Sequence, residues 1–368
     1  VLSFWEKSSL LKGDIAIIGG GLVGMSVASS LKEKFPGKSI TVFERSSLPY
    51  GASTRNAGFA CFGSLTEVMS DIQLMGQEAA RELLFQRWMG LQITRKRLGD
   101  KALGFIPAGG YELIENGSDI SGSIATINQM VEDFIPNYIS RSDDVKSRLG
   151  IMAPGQIFSM SGEGQVDTGA LMKSMEQYAL QLGVVIRTGT EITRLEVNKL
   201  IVNDRFRGEM EFQAEKIVVC NNAFASSLMP QLELYPGRGQ VFITKAIPNL
   251  AFSGNLHIEE GFYYLRNVNN RLLFGGGRNL DIQTEETTDF ALNNSIQRAL
   301  VDKLDNLFGT GFKYEIDLRW TGIMAFGKDK TPIVERVDDH LYVAVKMGGM
   351  GIALAGFIGE EIAEMMDC

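Results

Sequence analysis

Two histidines and three cysteines in 368 residues leave almost no material for a metal centre or a disulfide framework. The cysteines, Cys61, Cys220 and Cys368, are scattered along the chain, which fits a reducing cytoplasm. Lysine-arginine runs are also missing. The formal net charge is −8, which argues against nucleic acid or an anionic membrane as the main partner. No uncharged apolar stretch reaches membrane-spanning length; the apolar segment 351–358 runs directly into Glu360 and Glu361. Residues 1–11 carry Trp5, Glu6 and Lys7 and lack a signal-peptide apolar core. What the chain has in quantity is glycine, 41 residues that cluster, which points to tight turns and close backbone approach.

Periodicity predicts a short strand at 14–18, a helix to about Lys34 and a second strand at 40–44, together one βαβ unit. Residues 65–98 read as one long helix, followed by a strand at 110–114 and a helix at 124–134. A helix at 170–182 leads to buried strands at 183–187 and 216–220. Segments 240–244, 262–265 and 272–276 read as a mainly antiparallel sheet with Asn269-Asn270 as a hairpin turn. A helix at 290–307, a strand at 340–345 and a terminal helix to about Met366 complete the pattern. The βαβ-type material occurs at the start, middle and end. The fold class is therefore read as α/β plus α+β, one discontinuous Rossmann-type domain (1–75, 155–230 and 315–368) with a second domain inserted in two pieces (76–154 and 231–314).

The sharpest motif is Gly19-Gly20-Gly21-Leu22-Val23-Gly24, directly after the first strand. Gly19 permits the tight turn, Gly21 lets a pyrophosphate approach the backbone, and Gly24 lets the helix pack closely on the sheet. The helix N-terminus supplies N–H groups and partial positive charge for a diphosphate. Glu44, beside Arg45 at the end of the second strand, is placed to accept hydrogen bonds from an adenosine ribose diol.

That fingerprint does not separate FAD from NAD, and two further features favour flavin. A loop of small and polar residues, including Ala52, Ser53, Thr54, Asn56, Ala57 and Gly58, would let a planar ring lie against the backbone, with Ser53, Thr54 and Asn56 offering hydrogen bonds. A second glycine-rich turn, Lys346-Met347-Gly348-Gly349-Met350-Gly351-Ile352, opens the last helix. Its positive end would favour the negative charge of reduced flavin near N1.

In these motifs the chain resembles the D-amino-acid-oxidase family of FAD-dependent oxidoreductases, closest in layout to glycine oxidase and the small amine oxidases. The resemblance spans nearly the whole chain and includes Pro236-Gly237-Arg238-Gly239-Gln240, Gly261-Phe262-Tyr263-Tyr264, Gly275-Gly276 and Trp320-Thr321-Gly322-Ile323. It implies an FAD-binding domain and a substrate domain whose antiparallel sheet roofs the flavin. It also implies that Ile192 sits in the strand that reads the adenine and that Asn222 and Ala223 occupy a turn near the middle of FAD. Tyr263 matches a substrate-side tyrosine, and Met324 and Met350 would line the pocket. The family's carboxylate-binding arginines are absent: Met324 and Gly349 stand at those positions. No cysteine lies between Cys220 and Cys368, so the family's covalent flavin link is not expected.

The expected activity is oxidation of a small amine or amino-acid-like substrate by hydride transfer to N5 of non-covalent FAD, chemistry that asks for positioning more than for a dedicated base. The alternatives are a flavin dehydrogenase passing electrons to a quinone or carrier, an NAD-dependent dehydrogenase, and a flavoprotein without catalysis. Arg278 is a candidate replacement anion partner. Both histidines, His257 and His340, are expected to be structural, Cys61 inert, and Lys328, Lys330 and Lys346 solvated.

Overall fold

The computed structural model describes residues 1–115, 120–204 and 206–367; Cys368 lies outside them. Fully buried runs such as Ile15–Ile18 and Ile40–Phe43 demand cover on both faces, and they form the centre of a parallel sheet. Its strand order is Ile333–Arg336, Leu341–Val345, Gly208–Val219, Lys12–Ile18, Ile40–Phe43, Val185–Arg187. Strands Glu191–Glu196 and Lys199–Asp204 extend Gly208–Val219 as an antiparallel flap. Helices Leu22–Lys34, Thr168–Gln181 and Gly351–Met365 cover one face through a core that includes Val27, Leu31, Met175, Leu354 and Ile358.

The second sheet also has eight strands, in the order Ile316–Phe326, Tyr235–Thr244, Arg271–Gly276, Tyr263–Val268, Asn255–Ile258, Gly110–Ile114, Gln156–Met160, Ile139–Arg141. Every pair is antiparallel except Asn255–Ile258 with Gly110–Ile114. The hairpin turns at Asn269-Asn270, both in left-handed conformation, as the sequence implied. One face packs on the amphipathic helix Asn294–Phe308 through Phe242, Leu256, Leu265, Phe274, Ile296 and Leu300. Asn293 caps that helix by accepting from the N–H groups of Ser295 and Ile296, which starts it later than position 290.

Some segments differ from the sequence reading. The helix expected over 65–98 is two, Leu65–Met75 and Gln77–Leu98. Gly76, at φ +84°, breaks the chain without proline, and Ser64 caps the first helix by accepting from the N–H of Glu67. The strand Val185–Arg187 is an edge strand with Val185 exposed, not buried. Strands Gln156–Met160 and Ile316–Phe326, expected in the dinucleotide domain, pair in the second sheet. Helix Gln77–Leu98, expected in the inserted domain, packs on the terminal helix so closely that a Cβ on Gly90 would lie 2.2 Å from the Ala353 carbonyl oxygen. We propose to draw the two-domain division with these segments exchanged.

Candidate active site

The two sheets enclose one large cavity of about 1030 Å³, lined by the Gly19–Gly21 turn, the loop around Ser53, the Gly348–Gly351 turn and one face of the second sheet. That volume is at the upper end for cofactor pockets. Gly21 and Gly349 both line it, so the two glycine-opened helices start at the same space.

The first-sheet wall is built from backbone. Gly19 has φ +108°, and a Cβ there would lie 2.8 Å from the Cys220 carbonyl oxygen. A Cβ on Gly24 would fall 1.9 Å from the Gly19 carbonyl oxygen, so Gly24 packs helix on strand and does not line the cavity. Gly21 faces inward with Leu22 and Val23, and Ser53 Oγ accepts the Leu22 N–H at 2.9 Å. Neither opening helix is capped by the side chain that precedes it; Ser53 takes the Leu22 N–H of the first, and the second has no N-cap side-chain acceptor. Glu44 accepts from the Gly20 N–H and the Ser46 N–H, both at 3.0 Å. Arg45 lines the same end with its guanidinium 3.8 Å above the Phe224 ring, and Ile192 and Ala223 line it too.

The flavin-type loop is more self-contained than its composition implied. Ala52, Ser53, Asn56, Ala57 and Gly58 line the cavity, but Thr54 does not: its hydroxyl donates to the Pro49 carbonyl at 2.7 Å. Asn56 donates to the carbonyls of Ala52 and Ser53 and accepts from the Gly58 N–H and the Thr168 hydroxyl, so its hydrogen bonds hold the loop. Arg266, missed in the sequence, donates to the carbonyls of Ala57, Gly58 and Val166. Burial lowers its pKa to about 10.

Asn222, in left-handed conformation, accepts from the N–H groups of Lys346 and Met347 and fixes the last turn. Lys346 is buried rather than solvated, paired with Asp329 at 2.9 Å. Gly348, Gly349, Met350, Gly351 and Ile352 line the cavity, and Met324 Sδ lies 3.4 Å from where a Gly349 Cβ would be. Cys61 Sγ faces Met350 Sδ at 4.0 Å; burial pushes the Cys61 thiol well up, which keeps it protonated and inert.

On the second sheet, Val241, Gly275, Tyr264, His257 and Glu112 are direct neighbours in successive strands. Side chains alternate along a strand, so this row shares one face, and Val241, Tyr264 and His257 line the cavity. Tyr263 therefore points the other way, into the core stacked on Phe274, which corrects the expectation for Tyr263: Tyr264 is the tyrosine that lines the cavity. The signal was present: Leu265 shares Tyr263's face and the polar Arg266 shares Tyr264's. Likewise Leu256 and Ile258 bracket His257 and force it onto the cavity face.

Behind this row sits a buried ionic cluster. His257 Nε2 is 3.3 Å from Glu163, Glu67 is 3.3 Å from Lys330 and 3.4 Å from Arg87, and Lys330 is 2.7 Å from Asp71. Burial alone would lower the His257 pKa, but the carboxylates of Glu163, Glu112 and Glu67 outweigh it and the net shift is upward. Burial would raise Glu67, yet Lys330, Arg87 and His257 pull it down. Asp71 and Glu112 are raised, chiefly by burial. No group of His, Cys, Asp and Glu able to hold a metal ion is present among the described residues. Among them, too, no helix is long and apolar enough to cross a membrane.

The cavity fits a dinucleotide flavin. Two helix N-termini suit an anionic diphosphate and a ring that becomes negative on reduction. A Cβ at Gly21 would lie 2.6 Å from Ser53 Oγ, so only glycine admits that hydroxyl beside the turn, and the buried Asn221 Oδ1 has no hydrogen-bond partner among the described residues.

Comparison with known proteins agrees. The family model described as FAD dependent oxidoreductase (DAO) matches residues 14–365. The gamma-glutamylputrescine oxidoreductase of Escherichia coli (strain K12) is 24% identical over 373 residues, covering 96% of this chain and 83% of that protein. The crystal structure of L-proline dehydrogenase from P. horikoshii superposes with a TM-score of 0.80 at 17% identity, covering 96% of this chain and 93% of that one. Glycine oxidase from Geobacillus kaustophilus gives 0.73 at 20% identity, covering 97% and 96%. These structures share the fold.

Proposed function

Because this chain belongs to the DAO family of FAD-dependent oxidoreductases, we propose that it oxidises a small amine or amino-acid-like substrate at the second-sheet wall of the cavity. The observation that carries this reading is the convergence of two glycine-opened helix N-termini on one cavity whose opposite wall bears Tyr264, His257 and Met324. Bound FAD would supply the two-electron sink at N5, taking a hydride from the carbon that bears the amine, and loss of the amine proton would leave an imine for water to hydrolyse.

The chain's own part is binding and orientation. The Gly19–Gly24 turn and Ser53 receive the diphosphate, Glu44 the ribose, and the strand at Ile192 the adenine. The Gly348–Gly351 turn and the terminal helix hold negative charge at the ring, supported by the buried Lys346. Met324 and Met350 give the substrate an apolar side, and the half-buried Tyr264 hydroxyl and the His257–Glu163 pair give it a polar one. The cysteines that line the cavity, Cys61 and Cys220, are buried free thiols, which supports FAD held without a covalent bond. Acid precipitation should release the flavin into the supernatant.

The test is an anaerobic screen of amines and amino acids for bleaching of the oxidised flavin band. Bleaching by at least one amine supports the reading; no response to a broad panel refutes it. Peroxide release under air, set against dye reduction without oxygen, identifies the electron acceptor.

A further inference from the structure

We propose that His257, oriented by Glu163, is the base that takes a proton from the substrate's ammonium group before the amine is oxidised. This rests on the reading of the cavity as an amine-oxidising site. An aliphatic amine is an ammonium ion in neutral water, and its nitrogen then has no lone pair with which to form a C=N bond.

The pair is seated in a niche made for it. His257 is buried, its open side lines the cavity, and its Nε2 lies 3.3 Å from Glu163 Oε2. The Glu163 side chain is fully buried, and His257 is its one ion-pair partner among the described residues. Gly110 makes the room: a Cβ there would lie 2.0 Å from Glu163 Oε2. Asn255, two residues before His257 on the same strand, donates to the Gly164 carbonyl at 2.7 Å and ties the Glu163 segment to that strand. A carboxylate only accepts, so the neutral ring carries its proton on Nε2 and its lone pair on Nδ1. Nδ1 makes no hydrogen bond among the described residues.

The location suits the role. His257 is the cross-strand neighbour of Tyr264, whose hydroxyl lies 3.9 Å from where a Gly239 Cβ would be. Met324 Cε lies 3.0 Å from that same point, and Met324 Sδ reaches the Gly349 turn. Phe59 packs edge-on against both rings, at 5.2 Å from His257 and 5.9 Å from Tyr264.

The other acids facing His257 are Glu112 on the adjacent strand, bonded to Ser64 and Thr66, and Glu67 on helix Leu65–Met75, paired with Lys330 and Arg87, with Asp71 behind Lys330. Tyr264, Tyr138 and Cys61 stay protonated, raised by burial. Burial depresses the imidazole, but the carboxylates of Glu163, Glu112 and Glu67 more than restore it, and its pKa lies above 6.5. Such a base is matched to neutral and mildly alkaline water. In the step an ammonium N–H bond breaks, its proton goes to Nδ1 and its electron pair stays on nitrogen. That pair becomes the second C–N bond as the adjacent carbon gives its hydride to bound FAD, so the amine is oxidised and the flavin reduced. Glu163 holds the imidazolium until its proton passes to water.

The test follows anaerobic reduction of FAD-loaded protein by a saturating amine from the screen, over roughly pH 6 to 10. The wild-type rate should rise through one ionisation above pH 6.5. His257→Gln should cut the neutral-pH rate by about 100-fold at unchanged flavin content and abolish that ionisation. Glu163→Gln should move it down by about 1 pH unit, because the anion that favours the imidazolium is gone. Nitrogen NMR of histidine-labelled protein reads the pair without turnover, since His257 and His340 are the chain's two histidines. His257 should titrate above 6.5 and, when neutral, carry its proton on Nε2. A neutral His257 protonated on Nδ1 overturns the proposal, as does a His257→Gln variant that is slow only because it has lost FAD. Bleaching by amines with the wild-type rate and ionisation kept in His257→Gln sinks the base alone. No bleaching by any amine sinks the oxidase reading and the base with it.

Discussion

Along the first-sheet wall of the cavity the inward groups are backbone N–H groups and glycine Cα atoms, at Gly19, Gly21 and the Gly348–Gly351 turn. Along the second-sheet wall they are side chains, Tyr264, His257, Met324 and Arg278. The first wall needs closeness at the Gly19–Gly24 turn, where a Cβ on Gly19 or Gly24 would strike a carbonyl and one on Gly21 a hydroxyl. The second needs parity, because a shift of one residue would exchange Tyr264 for Tyr263 and bury the wrong face. Backbone recognition is thus local in sequence and independent of side-chain identity, whereas side-chain recognition depends on pairing between distant strands.

Substitutions can break or sharpen this contrast. The largest effect is expected behind the second wall, where Arg238 forms a buried pair with Glu285 at 2.8 Å and Gln240 and Asn293 also donate to that carboxylate. Arg238→Met strands the acid, and thermal or denaturant unfolding should show a loss of about 3–5 kcal/mol. An unchanged melting midpoint would mean that the second sheet does not rely on side-chain ion pairs. Next is Gly24→Val, which overpacks the turn by about 2–3 kcal/mol and should weaken FAD retention by about 100-fold, read as flavin per protein after gel filtration. Retention at the wild-type level would contradict the closeness argument.

Glu44→Gln keeps the shape but replaces a charged acceptor of two backbone N–H groups; FAD affinity should fall by about tenfold, measured by titration of the apoprotein. Tyr264→Phe should slow anaerobic flavin reduction by about 3- to 10-fold, and Tyr263→Phe should leave it unchanged. The reverse result would place the other face of the strand against the substrate.

The smallest effect concerns pH. The folded pKa of His257 lies above its usual 6.5, so its ion pairing stabilises the fold fully below pH 6.5 and is lost as pH rises through the raised value. His257→Gln should therefore flatten the alkaline side of a stability-versus-pH curve. A curve identical to wild type would show that the cluster of Glu163, Glu112 and Glu67 does not hold that proton.

The glycine fingerprint, Glu44 and the last turn were legible because each acts within a few residues of backbone and needs one residue type. Tyr264 and His257 carried a weaker signal, the alternation of Leu256-His257-Ile258 and Tyr263-Tyr264-Leu265, which fixes the face only once the core side is known. Arg266, Glu67 and Lys330 gave no local sign, since their partners lie far off in the chain: Arg266 reaches Ala57, and Lys330 reaches Glu67 and Asp71.

By itself the sequence determined the dinucleotide turn, the acid at the second strand's end, the glycine-opened terminal helix and the existence of an antiparallel second sheet. These follow from short-range sterics and from periodicity. Only the tertiary structure decided which tyrosine meets the cavity and that Lys346 is buried and paired. Those outcomes depend on strand register and on charges brought together from distant segments, and no local pattern encodes either.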